Sequence, residues 1–499
     1  MKKYLIILLS INSLFSITGL GENSCIQSKD NRNIYRNNYT YPESVQGDNF
    51  IVHFTSSDVD SQNVNGIWFN LQSNASYAQS ILDHTEAALV KYLNDGWENV
   101  PPDCDESITD LDSPDHCINY GGNSLYDIYI SNDGVGMVVP ENPYAVEPYT
   151  GGYTSFMKIS TLLNEYESLP TWSYHVIAHE LHHSIQLRYG YSVSGTPGNY
   201  MYNGWLFEQS ATYMENVIYP ESIHLRTMLG NCNVVTPLTF PELNIDYPAE
   251  IYPYRSALWQ KFLVESIGDS SIIKNIWENY GLQYATGNIV SLFPIYDNAV
   301  GEVTDNDMDL SDAYSDYAEW RYFTGDRSIP GMHFNESTAY CESTTMDFEN
   351  SFYISSDKGA SRYINLPSDN INISIYSDYL NEINFSLLMI DENNEFDIIN
   401  LSSENDISFN ISDNTSNVLF VNSIYSDIDS NDLNFTLSVN DNFNLGDFNY
   451  DNSVDVIDVI ILVNYILSSA TVELEGGDIN GDNEINILDV TFLINIILN

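Results

Sequence analysis

The segment TWSYHVIAHELHHSIQLRYG, residues 171–190, holds four of the nine histidines of this 499-residue chain: His175, His179, His182 and His183. His179, Glu180 and His183 form the pattern HExxH. On a helix, residues i and i+4 lie one turn apart on the same face, so both imidazoles reach one Zn²⁺ while Glu180 projects beside them towards a metal-activated water. His182 stands three residues from His179 and does not share this pairing. His175 and His183 are two turns, about 11 Å, apart on a straight helix, too far for one ion bound at about 2 Å. His175 is therefore expected to pack beside the site rather than to ligate.

A catalytic zinc needs a third protein ligand and an open position. The longer motif HExxHxxGxxH is excluded, because Gln186 and Tyr189 stand where it requires Gly and His. The next helical run, GWLFEQSATYMENVIYP, residues 204–220, offers Glu208 and Glu215 on nearly one face. Glu208 is preferred: Ser210 and Ala211 are small enough to let the two helices approach, and Thr212 is placed to orient a neighbouring ligand. Glu215 remains the alternative.

Two further segments carry metal-binding spacing. Residues 447–458, DFNYDNSVDVID, and 478–489, DINGDNEINILD, repeat at an offset of 31 (478 − 447). Each places oxygen side chains at loop positions 1, 3, 5, 9 and 12, with position 7 ligating through its carbonyl, as in an EF-hand calcium loop. The first loop offers Asp447, Asn449, Asp451, Ser453, Asp455 and Asp458; the second offers Asp478, Asn480, Asp482, Glu484, Asn486 and Asp489. Position 6 is Asn452 and Asn483 instead of Gly, and position 12 is Asp instead of the longer Glu.

The elements that must position these residues fall into blocks. Residues 1–20 have the lysines and short apolar run of a secretory signal peptide, which implies export and, after cleavage, no membrane span. Residues 21–47 form an N-terminal or pro-segment. From 48 to 335 the chain alternates strands and helices: NFIVHFTS (49–56), SLYDIYIS (124–131) and YTSFMKIS (153–160) read as strands. Residues 74–95 read as an amphipathic helix with Ala78, Leu82, Leu89 and Leu93 near one face. Gly134, Gly136, Gly151 and Gly152 mark a loop, Thr171 an N-cap and Gly190 a helix stop. Short alternating segments over 345–440 predict an all-β sandwich. Residues 445–499 predict a small α-helical calcium-binding domain. The fold class expected is thus multidomain: α+β, then all-β, then EF-hand-like.

A formal net charge of −54 excludes nucleic-acid binding and electrostatic adhesion to anionic membranes. Five cysteines suit an exported protein with one or two bridges. Cys104 and Cys117, flanking an acidic loop, are the expected pair, with Cys25, Cys232 and Cys341 unassigned.

HVIAHELHHSIQ followed by WLFEQSATYME resembles zincin metallopeptidases of the gluzincin branch, over residues 48–335. The resemblance implies a zincin-like fold, one catalytic Zn²⁺ on His179, His183 and Glu208, and peptide hydrolysis with Glu180 as the base. It also implies an edge strand that pairs with substrate, a place YTSFMKIS occupies, and an oxyanion donor, for which Tyr254 is the candidate and Tyr252 the alternative. The duplicated loops with Asp at position 12, each followed by a single helix, resemble a type I dockerin. That resemblance implies two Ca²⁺ ions and a cohesin-like scaffold partner, with the protein secreted or held at a cell surface. Here Val456, Ile457, Ile487 and Leu488 occupy positions 10 and 11, where dockerins often carry small polar residues. The expected function is a secreted zinc endopeptidase tethered through calcium-dependent docking; the alternative is a non-hydrolytic or subsidiary binding part of an extracellular polysaccharide-degrading assembly.

Overall fold

The computed structural model describes residues 36–498 except 65–66, 105, 114–115, 133–134, 162–169, 192–196, 248–250, 286–292, 350, 356–358, 368–370, 392–394, 402–406, 412–414, 425–431, 441–445, 447, 449–452, 469–476 and 481–483. The expected signal peptide, residues 21–35 and four calcium-loop residues, Asp447, Asn449, Asp451 and Asp482, lie outside the described residues. The chain divides into two compact units, one spanning the residues up to 344 with short returns at 355–361 and 422–429, the other taking the rest.

The first unit is built on a mixed five-stranded sheet. Strands β1 (Glu43–Gln46), β2 (Phe50–Phe54), β5 (Tyr126–Ser131), β7 (Tyr153–Ser160) and β6 (Gly136–Pro143) lie in the order β1-β2-β5-β7-β6, and a hairpin of β3 (Ser61–Val64) and β4 (Ile67–Asn70) stands apart. β2, β5 and β7 run parallel, and the outer strands β1 and β6 run antiparallel to their neighbours. The sheet therefore begins before residue 48, within the segment expected to precede the domain.

YTSFMKIS is not the edge strand. It forms β7, hydrogen-bonded on both sides, and the edge beyond it is Gly136–Pro143, a segment expected to be loop. Pro140 and Pro143 explain the misreading and the placement together: proline cannot donate to a ladder and is confined to edges and bulges, and the register slips between these two residues.

Helix α1 (Ala75–Asn94) starts where the Asn74 side chain accepts the Tyr77 backbone N–H, and ends at Gly96, whose φ of 85° turns the chain. Its buried stripe is Tyr77, Ala78, Ile81, Leu82, Ala88, Leu89 and Tyr92. Leu93, expected on that face, is 44% exposed, because its position in the last turn rotates it away from the stripe. Helix α2 (Pro170–Gln186) carries HExxH. It begins at Pro170, so Thr171 lies in the first turn instead of capping it, and it ends four residues before Gly190.

Ile177, Leu181 and Ile185, spaced by one turn, join Val52, Ile128, Ile130, Met157 and Ile159 of the sheet in one apolar core. His179 and His183 are two residues out of phase with that row and so face the other way. Two polar ties fix the helix: Tyr126 Oη lies 2.7 Å from Ser184 Oγ, and Tyr92 Oη donates to the Ala178 carbonyl at 2.9 Å.

Helices α3 (Pro197–Ile218), α4 (His224–Leu229), α5 (Tyr252–Arg255), α6 (Ala257–Ile267), α7 (Ser271–Ala285), α8 (Phe293–Val303) and α9 (Leu310–Tyr322) follow. Cys104 and Cys117 are joined, and so are Cys232 and Cys341, a pair that spacing alone did not identify. The second bridge closes 109 residues. Replacing both of its cysteines by alanine is expected to cost about 2–5 kcal/mol in chemical denaturation, since long loops gain most from closure.

In the second unit, β8 (Met346–Asp347), β9 (Ser351–Ser355), β10 (Ser361–Asn365), β11 (Ile371–Tyr376), β12 (Ile383–Ile390), β13 (Phe396–Asn400), β14 (Ile407–Ile411), β15 (Ser416–Ser423) and β16 (Asp432–Asn440) form two sheets. Their orders are β13-β12-β15-β10-β8 and β14-β11-β16-β9. Helices α10 (Val456–Ser468) and α11 (Ile487–Leu498) end the chain. No described helix is long and apolar enough to cross a membrane.

Candidate metal centre

His179 and His183 of α2 and Glu208 of α3 converge on one point. His179 Nε2 lies 3.1 Å from Glu208 Oε2 and 3.1 Å from His183 Nε2, and His183 Nε2 lies 3.3 Å from Glu208 Oε2. All three side chains are buried. A tetrahedral zinc held at about 2.0–2.1 Å sets its donor atoms about 3.3–3.4 Å apart, so this triangle has nearly the size that ion needs.

The hydrogen bonds behind the triangle point the same way. His179 Nδ1 lies 2.8 Å from Glu215 Oε1, and His183 Nδ1 lies 2.8 Å from Gln186 Oε1. The Gln186 amide is oriented by its nitrogen, which donates to the Phe207 carbonyl of α3 at 3.1 Å. Nδ1 of each ring thus faces an acceptor oxygen, an arrangement that supports a proton on Nδ1 and presents Nε2 to a cation once one is bound. With the rings in that form, two imidazole nitrogens and a carboxylate oxygen make a buried donor set that could hold a metal ion.

Burial alone would raise the Glu208 carboxyl, but His183 and His179 outweigh it and hold it well below the usual carboxylate range. Burial pushes His183 below an ordinary histidine, which favours the neutral, metal-ready ring. Glu215 is likewise held low, burial opposing and the nearby histidines prevailing.

Glu180 is buried next to the edge strand. A Cβ placed on Gly136 of β6 would stand 2.7 Å from Glu180 Oε1, so the glycine lets the strand pass directly over this carboxylate. The Tyr254 ring stacks on His179 at 5.6 Å between centroids and 9° between planes. Tyr252 is turned elsewhere, edge-on to Tyr247.

The remaining residues sort by contact. His182 is buried against Tyr92 and Trp97, and burial lowers its pKa well below that of a free histidine. Glu215 contacts Nδ1 of His179, on the far side of the ring from Glu208. Ser210 does not face α2; its Oγ accepts from Gln260 and from Trp277. Thr212 Oγ1 makes no hydrogen bond among the described residues, and Gln186 and Glu215 do the orienting expected of it. Gln186, noticed in sequence only as the residue that breaks the longer zinc motif, is a partner that i, i+3 spacing from His183 makes legible.

The duplicated loops show one repeated hydrogen-bond scheme. Asp458 accepts from the backbone N–H groups of Phe448 and Asp455 at 2.7 and 2.8 Å. Asp489 accepts from Ile479 and Asn486 at 2.8 and 2.7 Å, each partner shifted by 31 residues. Asp455 and Asn486 each accept from the amide two residues on, closing matching turns. Both position-12 aspartates are fully buried, whereas Val456, Ile457, Ile487 and Leu488 are 65%, 48%, 65% and 53% exposed. The carboxylates turn into the loops, and the aliphatic pairs turn to the surface.

Residues 152–285, which contain the whole His179–His183–Glu208 triangle together with Tyr254, match a family of unknown function, DUF6055. No curated protein matches the chain. Residues 445–498 match the dockerin type I domain, so this chain carries a type I dockerin domain at its C-terminus.

Proposed function

We propose that the protein is an extracellular zinc endopeptidase that a dockerin attaches to a cohesin partner. The observation that carries the hydrolytic part is the buried triangle of His179, His183 and Glu208 with Glu180 beside it, under the glycine of an edge strand. His179, His183 and Glu208 would hold the ion. Zinc, when bound in such a site, lowers the pKa of water and polarises a carbonyl.

The chain's own residues supply the rest. Gly136 and the strand it starts, paired on one side only among the described residues, offer backbone groups to an extended peptide laid along β6. Glu180 takes a proton from the attacking water and returns it to the leaving amine. Tyr254, stacked on His179, is placed to donate to the oxygen that gains charge.

Gly136→Ala tests the strand placement. Its methyl group forces Glu180 to shift, and a displacement of about 1 Å in a catalytic group costs about a hundredfold in rate. Cleavage of an unfolded protein substrate is expected to fall by that order at unchanged zinc content.

Calcium in the two terminal loops holds the docking helices in register, and the exposed Val456, Ile457, Ile487 and Leu488 make the cohesin-facing surface apolar. Asp458→Ala and Asp489→Ala are each expected to remove one tight calcium from a calorimetric titration and to leave zinc uptake unchanged.

A further inference from the structure

We propose that His224 is a positioning residue for the metal centre, acting through Glu215 on His179; the inference rests on reading the His179, His183 and Glu208 triangle as a zinc site. Glu215 is a buried carboxylate with both oxygens engaged by imidazoles. Oε1 lies 2.8 Å from His179 Nδ1, and Oε2 lies 2.7 Å from His224 Nδ1. One ring therefore belongs to a ligand, and the other holds the carboxylate from behind.

The chain of contacts crosses three helices: His179 on α2, Glu215 on α3 and His224 at the start of α4. His175, one turn before His179, closes it from the far side by stacking on His224 at 4.7 Å and 23° between planes. The stack fixes the plane of the His224 ring, and the ring fixes the rotation of the Glu215 carboxylate. That rotation decides whether Oε1 meets the Nδ1–H of His179 in line, which sets both the tautomer and the aim of the ligating Nε2.

His175, Glu215 and His224 also bring three potential ligand atoms within 4.8 Å of one another, so a second metal ion is the rival reading. The geometry favours the positioning role. The donors of the first triangle stand 3.1–3.3 Å apart, close to the tetrahedral spacing. In the second group, Glu215 Oε2 and His224 Nδ1 stand 2.7 Å apart, a hydrogen-bond distance shorter than the about 3.3 Å between two donors of one tetrahedral ion, and Oε1 lies 2.8 Å from His179.

The test is the zinc affinity of the full-length protein, measured by competition with a chromogenic chelator at fixed calcium, beside the melting temperature of the zinc-free protein. His224→Asn keeps an amide N–H near the place of Nδ1, whereas His224→Gln carries it further out and His224→Leu has none. The Leu and Gln variants are expected to bind zinc about 10–100-fold more weakly, and Asn to stay within about threefold of wild type. If Leu fails to fold, the Asn and Gln pair decides. Zinc affinity equal to wild type in both Leu and Gln, whatever their melting temperatures, overturns the inference alone. Two zinc ions per wild-type chain, with one lost in His224→Leu, overturns it in favour of a second site. No zinc uptake by wild type overturns the metal-site reading and this inference with it.

Discussion

Replacing Glu180 by Gln is expected to reduce peptide cleavage by about two to four orders of magnitude while leaving zinc in place. At 1.36 kcal/mol per decade, this is about 3–5 kcal/mol of lost transition-state stabilisation. The side chain keeps its length, so the space under Gly136 stays filled and the helix is not disturbed. An amide cannot accept the proton of an attacking water, and the substitution removes that basicity together with the negative charge at nearly constant shape. Glu180 is not a member of the metal triangle, so metal content is the control that separates chemistry from assembly. A variant that cleaves like wild type would remove Glu180 from the role of base. A wild-type protein that binds zinc and cleaves nothing would favour a non-hydrolytic role for the domain.

Removing the third ligand is the second large effect. Glu208→Ala takes away the only carboxylate of the triangle and leaves two imidazole lone pairs facing each other across 3.1 Å in a buried space. Loss of a group that merely orients a ligand costs about 10–100-fold in affinity, so loss of the ligand itself is expected to exceed about a hundredfold. Glu215→Ala is the matched comparison, expected in the lower range because its carboxylate touches His179 from behind. Calcium uptake by the terminal loops should be the same in both variants. If Glu215→Ala empties the site and Glu208→Ala does not, the two glutamates have exchanged roles.

The reason these residues were legible in sequence is that helical spacing carries geometry. The offset of four from His179 to His183 places both rings on one face, and small changes of backbone do not alter that. Glu208 and Glu215 are seven apart, and spacing puts both near the site without saying which joins the Nε2 atoms of the two histidines; only the approach of α3 to α2 separates them. The edge strand was hidden for a definite physical cause. Pro140 and Pro143 lower strand propensity everywhere except at an edge, so one sequence signal hid a strand and marked its place. His224 gave no signal, because its contact with Glu215 depends on where the short helix α4 comes to rest. The terminal loops were legible as a duplication: among the described residues, the bonds from Phe448 and Asp455 to Asp458 have their counterparts from Ile479 and Asn486 to Asp489.

In the proposed mechanism, an ion held by His179, His183 and Glu208 drives peptide hydrolysis with Glu180. The most direct measurement is cleavage of unfolded casein by chelator-stripped protein, titrated with zinc at constant calcium, with Glu180→Gln run alongside. Activity is predicted to rise in proportion to zinc and to level off at one equivalent, while the variant takes up the same zinc and stays near the baseline. Cleavage that ignores zinc, or one equivalent of bound zinc with no cleavage, would show that this site does not drive peptide hydrolysis.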